Sequence, residues 1–394
     1  MTSVVIVNQH TNNFGDDAAG AALIDNLVDS ISPERIDVFY IWHGSTNEPR
    51  FGTDVCNHHW LEDLSGARDV RPRYALAAAA AVLVKWVIPA QMKSLVKRCK
   101  VADLVFVSPA GSNIGIYKDW TYLFVLVLLV ATGIRPIFCQ NTIGPSRSVI
   151  FNAVSKYVLR RSTIYVREIA SQDWLATKQI GSSLGVDTAF ALTPAAARRR
   201  DQRPFIALVP TQLSNWHRDH RDLDDEQFFN DVLLRALGEI AQMHGLEVVI
   251  IPHLYGPASE EELLTRVRSH LTSLGCEARI AAETENYRDY LRWISDSEIV
   301  VSMRYHGLVL AALNSVPCVS LAYENKMLEA ARYCDLHELS LNIRHATPSV
   351  IIEKLELALT QRNAYSEALS ARVSDLRSIA LGPIREALSH SLRA

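Results

Sequence analysis

Two apolar rhythms alternate along this chain. Short, nearly continuous apolar runs read as buried strands: SVVIVN (3–8), IDVFYIW (36–42), DLVFVS (103–108), RPIFCQ (135–140) and STIYVR (162–167). Between them lie stretches with helical spacing, near 17–30, 74–99, 118–132, 147–160 and 168–179. An irregular stretch rich in His, Gly and Asn separates the second strand from the helix at 74. A run apolar on both faces suits a strand covered on both sides, and strands joined through helices run parallel. The first half is therefore predicted to be a parallel α/β sheet with helices on both faces.

The rhythm breaks at TPAAARRRDQRP (193–204), where two prolines and the Arg198, Arg199, Arg200 cluster read as a solvated linker. It restarts with strands FIALVP (205–210), LEVVIIP (246–252), ARIA (278–281), EIVVSM (298–303) and PCVSLAY (317–323). Helices are expected at 224–244, 258–274, 286–296 and 305–315, followed by a mostly helical tail over 348–392 that Gly382-Pro383 interrupts. A length of 394 residues exceeds what one core ordinarily serves. The expected α/β architecture is GT-B-like: two Rossmann-like domains, residues 1–195 and 205–394, with parallel sheets facing a central cleft. Ligands of such sheets lie beyond the carboxyl ends of the strands.

With 48% apolar residues, 21% charged residues and a net charge of −3, the chain has no global basic field to recruit nucleic acid. Six scattered cysteines without a CxxC pair fit reduced thiols in a cytoplasmic protein. His58, His59 and Asp54 lie close in sequence but lack a second ligand pair, so no metal site is expected. MTSVVIVNQH reads as a first strand, not a secretory leader. The apolar runs at 75–90 and 121–133 fall short of the roughly 20 residues that span a bilayer. They read as buried helices; the alternative is a peripheral contact at the inner face of the cytoplasmic membrane.

Candidate chemistry gathers in the loops that follow strands. NQHTNNFGDD (8–17) offers Asn13, Gly15 and Asp16 at the start of a helix, where backbone N–H groups face an anion. Gly111, Ser112 and Asn113 in SPAGSNIGIYKDW, and Gly144 in QNTIGPSRS, stand at equivalent places. Together these loops read as an acceptor or cleft rim, although each also suits a cap or a turn. Arg167 and Glu168 end STIYVR, either as an ion pair at a helix start or with Arg167 as a fork for carboxylate or phosphate. His253 follows LEVVIIP and is either structural or turned to the cleft.

The strongest segment is VSMRYHGLVLAALNSVPCVSLAYENK (301–326). A buried strand ends at Ser302, placed where a helix N-cap is expected, and Arg304 and His306 fall in the first turn of an all-apolar helix. Such groups are costly to desolvate without partners, and an α/β ligand crevice opens at this junction.

That segment resembles the hallmark of the polysaccharide pyruvyl transferases, carried here by Ser302, Arg304, His306, Gly307, Ala311, Pro317, Tyr323 and Lys326. Further pieces fall in family order: Asn13-Phe14-Gly15-Asp16, Ile143-Gly144-Pro145, Val166-Arg167-Glu168 and Asp187-Thr188-Ala189-Phe190. The chain departs from the family at Ser108–Asn113, where a run of glycines is usual, at Cys139–Thr142, and at Tyr305, commonly a leucine. The resemblance implies a GT-B-like enzyme that takes the pyruvyl group of phosphoenolpyruvate to two hydroxyls of a sugar, forming a ketal, with no cofactor. The acceptor it implies is a glycan or glycan precursor, free or lipid-linked, on the N-terminal side. It assigns the donor's anionic groups to Arg304, Arg167 and Lys326, with Ser302, Tyr323 and His253 around them, and general acid–base catalysis to His306. Two alternatives stand beside it: a GT-B glycosyltransferase using a nucleotide sugar, and a non-catalytic relative that binds glycan or anion.

Overall fold

The computed structural model describes residues 2–41, 55–59, 90–195, 203–214 and 216–391. The chain forms two compact units: Met1–Thr11, Asp16–Leu192 and Arg377–Ala394 in the first, Asn12–Gly15 and Thr193–Leu376 in the second. The sequence pattern placed the whole helical tail with the second domain and the loop around Asn13 with the first. The tail from Arg377 and the segment Asn12–Gly15 lie the other way round. A break in hydrophobic rhythm locates a linker, whereas these memberships depend on contacts far apart in sequence.

In the first unit the elements run β1 (Ser3–Gln9), α1 (Phe14–Ile31), β2 (Arg35–Tyr40), β3 (Val55–His59), α2 (Ala90–Val101), β4 (Leu104–Val107) and α3 (Trp120–Ala131). They continue as β5 (Ile137–Asn141), α4 (Val149–Leu159), β6 (Thr163–Val166), α5 (Ile169–Thr177) and β7 (Ser183–Leu184). All described pairings are parallel, in the order β3-β2-β1-β4-β5-β6-β7. The expected strands are present. The two outer ones, β3 and β7, are additional; β3 lies inside the stretch read as irregular, because an edge strand need not be apolar on both faces.

The apolar run at 121–133 is core: α3 is buried from Tyr122 to Val130, and the Asp119 carboxylate caps it by accepting from the Tyr122 N–H at 3.0 Å. No described helix is long and apolar enough to cross a membrane. The run at 75–90, up to its last residue, and residues 196–202 of the linker lie outside the described residues. Of the His58, His59 and Asp54 group, Asp54 lies outside the described residues; His58 meets Asp37 at 2.6 Å, beside Arg35 and Arg98. The carboxyl ends of β1 and β5 are bulged, with Asn8 at φ 59° and Gln140 at φ 57°. Bulges of this kind re-aim side chains at the end of a strand.

The second unit repeats the plan with β8 (Phe205–Val209), α6 (Asp225–Gln227), a π-helical segment (Phe228–Leu233), α7 (Leu234–Met243), β9 (Glu247–Ile250), α8 (Glu261–Ser273) and β10 (Ala278–Ile280). Then come α9 (Tyr287–Ser295), β11 (Ile299–Ser302), α10 (Tyr305–Leu313), β12 (Cys318–Ala322), α11 (Asn325–Tyr333), β13 (Ser340–Asn342), α12 (Pro348–Thr360) and α13 (Arg362–Ala380). α14 (Gly382–Ser391) belongs to the first unit. The sheet order is β10-β9-β8-β11-β12-β13, again parallel. Both sheets thus carry Rossmann order, and the connections reverse direction between β1 and β4 in one, and between β8 and β11 in the other. α10 is buried along its whole length, as its uniformly apolar sequence requires.

Candidate active site

The reversal between β8 and β11 brings several chemically active residues to one edge of the second sheet. β11 ends in Ser302, and its chain passes through Arg304 into α10. The helix N-cap is Arg304, two residues beyond the expected place. Ser302 instead ties the turn from below: its Oγ accepts from the Arg304 N–H at 3.0 Å and donates to the Arg304 carbonyl at 2.8 Å. A Cβ on Gly307 would overlap that Oγ, so only glycine lets the helix settle on it.

Arg304 is 7% exposed. Its Nη2 donates to Glu260 Oε2 at 2.5 Å, and its guanidinium lies 5.6 Å from the centre of the Trp216 ring. Its Nε is buried with no hydrogen-bond partner among the described residues. The other oxygen of Glu260 accepts from Thr211 Oγ1 at 3.1 Å and from the Gln212 N–H at 3.4 Å. Lys326, on α11 after β12, is buried, with Nζ 2.8 Å from Glu324 Oε2 and 6.0 Å from the Tyr305 ring centre. The Tyr305 hydroxyl lies 3.0 Å from that of Tyr333. Two of the three cations expected at a donor site, Arg304 and Lys326, are therefore here, each already compensated by a carboxylate.

His306 and His253 are buried, with ring centres 6.4 Å apart and planes 21° from parallel. His253 follows β9, and its Nδ1 meets the Tyr290 hydroxyl at 3.0 Å. Burial, then the charges of Arg304 and His306, hold its pKa well below the usual histidine value, so His253 is neutral. Asn12–Gly15 docks here as a short antiparallel contact: Asn13 bridges Leu254, the Phe14 N–H donates to the His253 carbonyl at 3.1 Å, and the Tyr255 N–H donates to the Asn12 carbonyl at 3.2 Å. Phe14 stacks on Tyr255 at 4.6 Å and Tyr290 at 5.9 Å. Asn13 also caps α1, its Oδ1 accepting from the Gly15 N–H at 2.9 Å.

One loop was not singled out from the sequence. TQLSNWHRDH, directly after β8, supplies Thr211, Trp216, His217 and His220. His217 Nε2 lies 3.0 Å from Glu324 Oε1, so Glu324 joins His217 to Lys326. His220 Nε2 donates to the Tyr323 carbonyl at 3.0 Å. Glu260, Glu324 and Tyr290 were also missed. The available signal was position: the first βα loop of a Rossmann-like domain opens at the switch point, and here it holds an indole and two imidazoles.

The second unit thus brings together Ser302, Arg304, His306, His253, Tyr323, Lys326, Asn13 and Gly15. The other expected residues lie in the first unit. There Asn113 Nδ2 donates to His10 Nε2 at 2.7 Å, the Asn113 N–H donates to the Gly111 carbonyl, and the Tyr117 N–H donates to that of Ser112. The Gly144 N–H donates to the Ile114 carbonyl, and the Asp16 carbonyl accepts from Gln9. Arg167 is 2% exposed; it meets Asp187 at 2.5 Å and donates to Thr142 Oγ1 at 3.1 Å. Glu168 accepts from Ser171.

Residues 13–325 match the family described as polysaccharide pyruvyl transferase. No curated protein matches the chain. Among solved structures, the chain is similar to UDP-GlcNAc 2-epimerase from Neisseria meningitidis bound to UDP-GlcNAc, at 12% identity and TM-score 0.63, covering 99% of this chain and 100% of that one. It is also similar to the Methanocaldococcus jannaschii UDP-GlcNAc 2-epimerase complex with UDP-GlcNAc and UDP, at 13% identity and TM-score 0.55, covering 91% and 93%. A glycosyltransferase from Rickettsia africae aligns at 8% identity and TM-score 0.58, covering 99% and 97%. At these identities the likeness shows the fold, which is GT-B.

Proposed function

The chain belongs to the polysaccharide pyruvyl transferase family, matched over residues 13–325, and from that membership we propose that it moves the pyruvyl group of phosphoenolpyruvate onto two hydroxyls of a glycan sugar, closing a cyclic ketal. The observation that most supports this reading is the pairing of His306 with Arg304 at the switch point of the second sheet. A buried imidazole stands in the first turn of α10, two residues from a guanidinium whose buried Nε lacks a partner among the described residues. A buried donor left unsatisfied is costly, and an anion placed there removes the cost.

In this reading Arg304 and Lys326 hold the carboxylate and phosphate of the donor. The Nη2 bond to Glu260 fixes the plane of the Arg304 fork and leaves Nε for the ligand. His306 gives a proton to the methylene carbon, and the double-bond electron pair becomes the new C–H bond. Positive character builds on the α-carbon, one sugar hydroxyl adds there, and its proton is released. The C–O bond to phosphate then breaks with its electrons on the phosphate, and the second hydroxyl closes the ring. Of the two hydroxyl protons released, one restores His306 and the other leaves with phosphate. His253, neutral beside His306, adds no charge of its own. Arg167, enclosed by Asp187 and Thr142, enters this reading as a structural residue.

The test supplies phosphoenolpyruvate and candidate glycans to the purified protein, following phosphate release and the mass gain of a carboxyethylidene group. His306→Gln should lower turnover by about 10² to 10⁴, the usual worth of general acid–base assistance, with calorimetric donor affinity retained. Unchanged turnover would remove His306 from the mechanism. Product from a nucleotide sugar, and none from phosphoenolpyruvate, would replace pyruvyl transfer with glycosyl transfer.

A further inference from the structure

We propose that Trp216 is the platform on which the acceptor sugar lies, and that the groove beside its loop holds the sugars that follow. This rests on a glycan being the acceptor, as proposed above, but places it on the second unit, whereas the sequence suggested the N-terminal side. Trp216 is 39% exposed, yet it is not loose. Its indole N–H donates to Thr211 Oγ1 at 3.3 Å. The rings of Tyr323 and His217 meet it edge to face, at 5.7 and 5.3 Å between centres. An indole held in one orientation with much of its surface in water is a poor use of apolar area unless something covers it. A pyranose fits: its C–H face lies against an aromatic ring while its hydroxyls stay free at the rim.

Placement favours that occupant. The Arg304 guanidinium is 5.6 Å from the centre of the Trp216 ring, so a sugar on this platform has its hydroxyls beside the residue assigned to the donor. The chain Trp216–Thr211–Glu260–Arg304 is continuous in hydrogen bonds and joins platform to donor site. Gln212 continues it outward: its N–H donates to Glu260, and its Oε1 accepts from Arg266 at 3.1 Å. There a cavity of about 650 Å³ begins, lined by Gln212, Ser214, Asp224, Asn230, Arg266 and Ser269 among others. That volume is within the range of small-ligand sites, and amide, hydroxyl and charged groups suit a hydroxyl-rich chain.

The experiment is saturation-transfer NMR with a panel of methyl hexosides and methyl N-acetylhexosaminides on the wild-type protein, Trp216→Phe and Trp216→Ala, beside calorimetric titration with phosphoenolpyruvate. At least one glycoside should bind through the protons of one ring face. Trp216→Ala should weaken it about tenfold, and Trp216→Phe less, since the aromatic face is kept. Donor affinity should fall by a smaller factor than glycoside affinity, because Trp216 reaches Arg304 only through its ring and the Thr211–Glu260 bonds. Failure of every glycoside to bind, binding unchanged in Trp216→Ala, or loss confined to phosphoenolpyruvate would overturn the proposal. Glycoside binding that depends on Trp216 without any ketal product would leave this subsite standing and sink the proposed reaction, so the two failures are distinguishable.

Discussion

Gly15 lies directly against the ring of His306. A Cβ built on Gly15 would overlap the Cβ, Cγ and Nδ1 of that histidine. The residues are far apart in sequence, and the contact exists because Asn12–Gly15 docks on the loop after β9. Gly15→Ala should therefore push His306 out of position without removing any of its chemistry. A displacement of about 1 Å at a reacting group can cost about a hundredfold in rate, and that is the expected fall in kcat. Because the substitution puts alanine, a better helix former than glycine, in the first turn of α1, the melting temperature should fall only slightly. Wild-type kcat in a folded Gly15→Ala protein would show that His306 need not hold its place.

That contact marks the limit of what the sequence discloses. The strands were legible because burial on both faces leaves continuous apolar runs, and Rossmann-like organisation followed from their alternation with helices. Arg304 and His306 stood out because polar groups are expensive where a buried strand meets a buried helix. The site's partners were not legible in that way. Glu260 and Glu324 look like ordinary surface carboxylates until the fold brings one to Arg304 and the other to Lys326. Arg167 shows the same limit: a cation at a strand end suggested a ligand clamp or a pair with Glu168, and nothing local announced its contact with Asp187. The Val166-Arg167-Glu168 and Asp187-Thr188-Ala189-Phe190 segments thus meet through one ion pair, a long-range fact with no local signature.

His253 should make the fold sensitive to acid. The depressed pKa of His253 means that the folded protein resists protonating it, while the unfolded chain does so near the ordinary value of about 6.5. Above that pH both states are neutral there and His253 contributes no pH dependence. As pH falls below about 6.5 the unfolded state takes up a proton that the fold refuses, and stability declines by up to about 1.4 kcal/mol per pH unit. His253→Asn should make the decline shallower between about pH 6.5 and 5, read as urea midpoints across the series. Parallel profiles for the two proteins would mean that His253 is protonated in the fold.

Tyr305 stands where the resemblance leads one to expect an aliphatic residue, and its ring lies 6.0 Å from Lys326 Nζ. Its hydroxyl meets that of Tyr333 at 3.0 Å. The ring is thereby fixed against a cation assigned to the donor. Tyr305→Phe keeps the ring near the ammonium and should leave the KM for phosphoenolpyruvate close to wild type. Tyr305→Leu removes it and should raise that KM about fivefold, the worth of about 1 kcal/mol of cation–π attraction. Equal KM values for the Phe and Leu proteins would assign Tyr305 to packing alone.

Arg167 allows a structural cation to be told from a ligand-binding one by experiment. Its guanidinium meets Asp187 at 2.5 Å, and the two side chains are 2% and 0% exposed. Asp187 also accepts from the Ala189 N–H at 2.9 Å, so it holds both the strand end after β6 and the turn that follows β7. Breaking such a pair by neutralising one member leaves a buried charge uncompensated, at a cost of about 3–5 kcal/mol. Asp187→Asn should accordingly lower the melting temperature by about 10 °C, because each kcal/mol is worth a few degrees in domains of this size. Arg167→Met should lose a comparable amount, since it leaves the Asp187 carboxylate buried without its cation and held only by the Ala189 bond. In both proteins, the dissociation constant for phosphoenolpyruvate, measured well below the melting temperature, should stay within about twofold of wild type if Arg167 serves the fold through Asp187 and not the donor. A rise in that constant of about tenfold or more in Arg167→Met, with the melting temperature unchanged, would return Arg167 to the donor site and make Asp187 its orienting partner.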